Sequence, residues 1–109
     1  MDTYSSSGSS ALEALGDPTR RAIFEALLSG PRPVGELAEE LPVSRPAVSQ
    51  HLSVLLRAGL VSVNAEGTRR VYCVDRAGLD ELRAFMDRFW SRALDAFGTA
   101  AEKESRRER

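Results

Sequence analysis

Within VSRPAVSQHLSVLLRAGLV, residues 43–61, side chains that can exchange hydrogen bonds with a base edge or a phosphate cluster on one helical face: Arg45, Ser49, Gln50 and Ser53. An arginine can pair with guanine and a glutamine with adenine, while serine suits either. Val48, Leu52 and Leu55 fall on the opposite face, so the same segment can be anchored to a core while its polar side stays free. A second group, Thr68, Arg69 and Arg70, follows a glycine and suits phosphate or a minor groove. Nucleophilic chemistry has less to work with. His51 has no nucleophile beside it in the pattern, and Cys73 alternates with Val71 as a half-buried strand residue would. No catalytic residue is assigned, and the chain is not expected to be an enzyme.

The elements that must position these groups are legible from start and stop signals. In DPTRRAIFEALLSG, Asp17 can cap, Pro18 fits the first helical position and Gly30 ends the helix, with Ile23, Phe24, Leu27 and Leu28 as its apolar stripe. Pro31 and Pro33 mark a linker. A short helix is predicted over Val34 to Glu40, with Val34, Leu37, Ala38 and Leu41 facing inward. LPVS then reads as a tight turn, because Leu41 precedes a proline. Ser44 can cap the next helix, Pro46 lies in its first turn and Gly59 is its stop. The runs VSVNA and RRVYCV, joined by EGT, read as a hairpin in which Gly67 can take a positive φ.

A short helix from Ala11 to Leu15 precedes all this, and a last helix begins near Arg76. The predicted fold is mainly α with a small β-hairpin, in the order of a winged helix–turn–helix. Residues 1–10, rich in serine and glycine, are expected to be a disordered tail, residues 11–98 the folded domain, and residues 99–109 a charged tail that frays.

Composition narrows the function classes. A chain of 109 residues fits one domain, and no apolar run approaches the length needed to span a bilayer. With one cysteine, no internal disulfide can form, and MDTYSSSGSS lacks the features of a secretory signal; both point to the cytoplasm. One cysteine and one histidine are too few for a Cys/His zinc site, and Asp80, Glu81 and Asp87 read as a solvated face, so no metal and no cofactor is expected. The formal net charge of −1 hides an asymmetry: residues 44–76 carry five arginines against two acidic residues, whereas residues 11–43 carry three against six. A basic island on an acidic body marks a local phosphate-facing surface.

The residues alone also fit a solvated helix and hairpin in a small α+β domain. The joint pattern is more specific, and here the chain resembles the ArsR/SmtB-type winged-helix repressors. The stretches DPTRR, VGELAEEL, SRPAVSQHLSVL, AGLV and GTRRVY carry the resemblance. It implies a homodimeric repressor that occupies operator DNA, with readout by the helix holding Ser44, Arg45, Pro46, Ser49, Gln50, His51 and Ser53, and support from Thr68, Arg69 and Arg70 of the wing. The cysteines that metal-sensing members carry in the helix corresponding to Val34–Leu41 are missing, and no histidine follows His51. Leu56 stands where a polar residue is expected.

Along the last helix, Leu82, Phe85, Met86, Phe89, Trp90, Leu94 and Phe97 make an apolar stripe too long for one small domain to cover. With Leu12 and Leu15 of the first helix it is expected to form a homodimer interface, which agrees with the resemblance. The expected partners are double-stranded operator DNA and a second copy, with no membrane. A regulator gated by an unidentified small molecule or by Cys73, and a winged helix that binds protein in place of DNA, are the alternatives.

Overall fold

The computed structural model describes residues 7–107. Five helices and three short strands follow in the order α1 (Ser7–Ala14), α2 (Pro18–Leu27), β1 (Arg32–Pro33), α3 (Val34–Glu40), α4 (Arg45–Arg57), β2 (Val61–Glu66), β3 (Arg69–Val74) and α5 (Arg76–Arg107). The capping signals act as written. Asp17 accepts from the backbone N–H groups of Thr19 and Arg20 at 2.8 and 3.0 Å, and Ser44 accepts from Ala47 at 3.3 Å. Both satisfy donors that a helix N-terminus would otherwise leave orphaned.

The core lies where α2, α3 and α4 meet the foot of the sheet. Ile23, Leu37, Val48, Leu52, Leu55, Leu60 and Val61 are each at most 2% exposed. Leu56 is half-buried and packs against this cluster, which accounts for an apolar residue where a polar one was expected.

The hairpin pairs β2 with β3 in register from Val61 opposite Val74 to Glu66 opposite Arg69, closed by Gly67 at φ +63°. The linker expected at Pro31–Pro33 contributes a third strand: Arg32 and Pro33 pair with Tyr72 and Val71, giving the order β1-β3-β2. Pro33 lacks an N–H, and an edge strand is where that loss is tolerated.

Both termini of the domain differ from expectation. Residues 7–10, assigned to a disordered tail, open α1; residues 1–6 lie outside the described residues. The cause is tertiary. α1 packs along α5 so closely that a Cβ on Gly8 would stand 2.4 Å from the Phe85 Cβ and 2.8 Å from the Glu81 carbonyl oxygen, and Ala11 is fully buried there. Burial of this kind overrides the weak helix propensity of a Ser/Gly run. At the other end α5 does not fray at residue 99 but continues to Arg107. After Gly98 the run TAAEKE is rich in the good helix formers alanine, glutamate and lysine, and no glycine or proline in it breaks the helix. None of the helices is long and apolar enough to cross a membrane.

One close approach fixes the base of the wing. Gly59 ends α4 at φ +78°, and Leu60 N–H donates back to the Leu55 carbonyl at 3.0 Å. The start of α5 then crosses this turn so tightly that a Cβ on Gly78 would fall 1.7 Å from the Gly59 carbonyl oxygen. Gly78→Ala therefore forces backbone apart and is expected to cost about 1–3 kcal/mol, read as a lower urea midpoint at unchanged slope.

Asp17 supplies a pH test. The hydrogen bond from the Arg20 backbone N–H holds its carboxyl below the usual carboxylate range; the Thr19 N–H, the Arg20 guanidinium and His51 act in the same direction, against partial desolvation. A depressed folded-state value means that the stabilisation is present above the ordinary carboxylate pKa and is lost as pH falls through the lowered one. The gap in urea midpoint between the wild type and Asp17→Ala is accordingly expected to be widest at neutral pH and to narrow on acidification.

Candidate nucleic-acid interface

α4 is built to be held by one face. Val48, Leu52 and Leu55 are fully buried, while Ser44, Arg45, Pro46, Gln50 and Ser53 are exposed and Ser49 and His51 are half-buried. The helix has 13 residues and so runs about 20 Å, a length and width that a major groove admits. Its N-terminal turn, where base-reading residues of such helices sit, carries Arg45 and leads into Ser49 and Gln50.

The hairpin comes beside it. A cleft of about 590 Å³ is lined by Arg45, Ser49 and Ser53 of α4, by Thr68, Arg69, Arg70 and Tyr72 of the hairpin, and by Pro33, Val34, Gly35, Glu36 and Glu39 of the β1–α3 segment. Six of the residues singled out in the sequence thus line one cavity. Arg45 extends over α3, where a Cβ on Gly35 would stand 3.9 Å from its Nη1. Arg70 lies 6.0 Å from the centre of the Tyr72 ring, with the cation over the aromatic face. Arg69 and Arg70 are exposed, as groups that meet phosphate must be.

The other four expected residues are placed differently. Ser44 and Pro46 form the entry of α4, with the Ser44 oxygen committed to its cap. Gln50 is exposed outside the cleft. His51 is half-buried, and it is the weakest of the influences that lower the Asp17 carboxyl. Within the cleft, the Ser53 hydroxyl donates to the Ser49 carbonyl at 3.1 Å, which leaves its oxygen as an acceptor.

Glu36 and Glu39 were not singled out from the sequence. The signal was available, since residues three apart on a helix share a face. The sequence reading of VGELAEEL concerns its inward apolar residues, its likeness to the family and its missing cysteines, not its acidic face.

Away from the cleft, Cys73 is half-buried with its Sγ 3.1 Å from the Ser62 Oγ, its cross-strand partner. Among the described residues no group of three histidine, cysteine, aspartate or glutamate side chains is placed to hold a metal ion. The residues expected at a dimer interface divide in two. Leu12, Met86, Phe89, Trp90, Leu94 and Phe97 are exposed, up to 69% for Trp90 and 78% for Phe97. Leu15, Leu82 and Phe85 are half-buried in their own chain, the first two against its core. Phe85 meets Phe89 edge to face at 5.2 Å.

Residues 17–63 match the family model described as bacterial regulatory protein, arsR family. The HTH-type transcriptional regulator Rv2034 of Mycobacterium tuberculosis is 56% identical over 104 residues, covering 95% of this chain and 96% of that protein. The transcriptional repressor SdpR of Bacillus subtilis is 33% identical over 69 residues, 63% of this chain and 77% of that protein. Among solved structures, a possible transcriptional regulator for arsenical resistance superposes with a TM-score of 0.72 at 44% identity, over 83% of this chain and 94% of that one. An ArsR-like transcriptional regulator from Rhodococcus sp. RHA1 gives 0.73 at 33% identity, over 87% and 92%. With the winged helix–turn–helix and its polar reading face in place, these likenesses show that the chain belongs to the arsR family of bacterial regulatory proteins and is a DNA-binding transcriptional regulator.

Proposed function

We propose that the protein is a homodimeric repressor that occupies a pseudo-palindromic operator in the cytoplasm. The observation that carries this reading is the shared cleft: the base-reading turn of α4 and the arginines of the wing open on one cavity, so a single duplex can meet both. Arg45 and Gln50 read base edges in the major groove, while Arg69 and Arg70, with Thr68, grip the backbone beside it. A relative of this chain is itself a transcriptional repressor, which supports repression over activation.

Dimerisation is supported by the second half of α5. Its exposed Phe89, Trp90, Leu94 and Phe97 run along the helix with Met86, and Leu12 of α1 is exposed as well. A contiguous apolar stripe of this kind costs free energy in water and is relieved by a copy of itself across a two-fold axis. Two copies of α4 about 34 Å apart would then face successive major grooves.

Mobility shifts on DNA upstream of the protein's own gene test the readout. Gln50→Ala and Arg45→Ala are expected to weaken operator binding and relax sequence preference, each removing roughly 1–3 kcal/mol of discrimination. Arg69→Ala and Arg70→Ala are expected to weaken binding to all sequences alike and to reduce the slope of log K against log salt by about 0.9 for each phosphate lost. Unchanged affinity in all four variants would remove the interface from this face.

Sedimentation tests the assembly. Trp90→Glu with Phe97→Glu is expected to give a monomer that keeps its helical content and binds the operator at least tenfold more weakly, because one half-site then binds alone. A variant that sediments as a dimer would sink the α5 interface.

A further inference from the structure

The cleft between α3, α4 and the wing is not uniformly basic. Glu36 and Glu39 of α3 line it together with Arg45, Arg69 and Arg70. α3 carries a third glutamate, and the contrast is informative. Glu40 is ion-paired with Arg32 of β1, whereas among the described residues neither Glu36 nor Glu39 has a cation within ion-pair distance. Both are exposed on the wall of a surface meant for a polyanion.

Helix stability explains one of them at most. Glu36 lies in the first turn of α3, where a negative charge complements the macrodipole. Glu39 lies in the last turn of a seven-residue helix, next to Glu40, where the dipole and the neighbouring carboxylate both oppose it. Its charge is unfavourable to its own helix and points into the cleft.

We propose that Glu36 and Glu39 act as an electrostatic brake on DNA binding, opposing the phosphate attraction of Arg45, Arg69 and Arg70. The inference rests on DNA entering this cleft. The first helix of a helix–turn–helix crosses the phosphate backbone, so carboxylates on its cleft side meet phosphates, not base edges. Their repulsion therefore weakens binding to every sequence by a similar factor and slows association, since charges around an interface act mainly on the encounter. The consequence is a regulator whose residence depends on base contacts by Arg45 and Gln50 and which leaves DNA readily once those are disturbed.

The test compares Glu39→Gln and Glu36→Gln/Glu39→Gln with the wild type and Arg70→Ala, on operator DNA and on a random duplex, over a salt series. Each carboxylate removed is expected to raise affinity about two- to threefold on both duplexes at low salt. The gain should shrink as salt screens the cleft, and the association rate should rise with it. The amide is close in size to the carboxylate, and Glu39→Gln is expected to keep or slightly raise the urea midpoint, since it removes a charge that its own helix opposes, so a gain in affinity would not come from a loosened fold. Affinities equal to the wild type, or a gain insensitive to salt, would overturn the brake while Arg70→Ala still weakens binding. A loss on the operator alone would also overturn it, by showing that a carboxylate reads a base. If Arg70→Ala binds like the wild type, DNA does not enter this cleft and the brake falls with that placement.

Discussion

Everything that this protein presents to DNA depends on the burial of one face of α4. Val48, Leu52 and Leu55 are fully buried against α2, α3 and the foot of the sheet, and this fixes the helix in rotation as well as in place. Because side chains recur every 3.6 residues, anchoring that stripe determines where Arg45, Ser49 and Gln50 emerge. A core of close-packed aliphatic side chains does not let a helix roll to another register without opening voids, each of which costs free energy. The polar face of α4 is therefore held as firmly as the core behind it.

The wing depends on the same anchor by a different route. Gly59 turns the chain out of α4, Leu60 and Val61 join the core at once, and Asp75 N–H returns to the Leu60 carbonyl at 2.9 Å. The hairpin is thus pinned at its base, where α5 crosses within touching distance of Gly59, and left free at its tip. β1 adds a second constraint by pairing with β3, and the Arg32–Glu40 ion pair ties that edge strand to the end of α3. The three walls of the cleft are consequently connected by backbone pairing and packing, not only by proximity.

Much of this was legible in the residues because local chemistry and tertiary structure agree. Asp17, Ser44, Pro18, Pro46, Gly59 and Gly67 each act where their own conformational preferences place them, so helix starts, stops and the hairpin turn followed directly. The failures occurred where a distant partner overrode a local preference. Ser7–Ser10 is helical because α5 lies against it, and Arg32–Pro33 is a strand because β3 offers an edge. The hydrogen bond spent by Ser53 is likewise invisible to spacing, because helical periodicity assigns a face but not a neighbour. Glu36 and Glu39 are a different case: their spacing puts them on one helical face, but the cleft that gives that face a meaning exists only once α3, α4 and the hairpin are assembled.

That assembled cleft changes how the charge of the protein should be weighed. Across the chain the charges nearly cancel, and the basic island of the middle third gave the first pointer to a phosphate partner. In three dimensions the island does not stand alone, because α3, drawn from the acidic stretch before it, lines the same cleft. Attraction to phosphate is strong, long in range and blind to sequence, whereas base readout is short in range and selective. With DNA placed in this cleft as proposed, three arginines beside two glutamates shift the balance away from the first and toward the second. Selectivity then rests on the few contacts that the buried stripe of α4 orients, and the constraint that fixes the fold also governs the choice of partner.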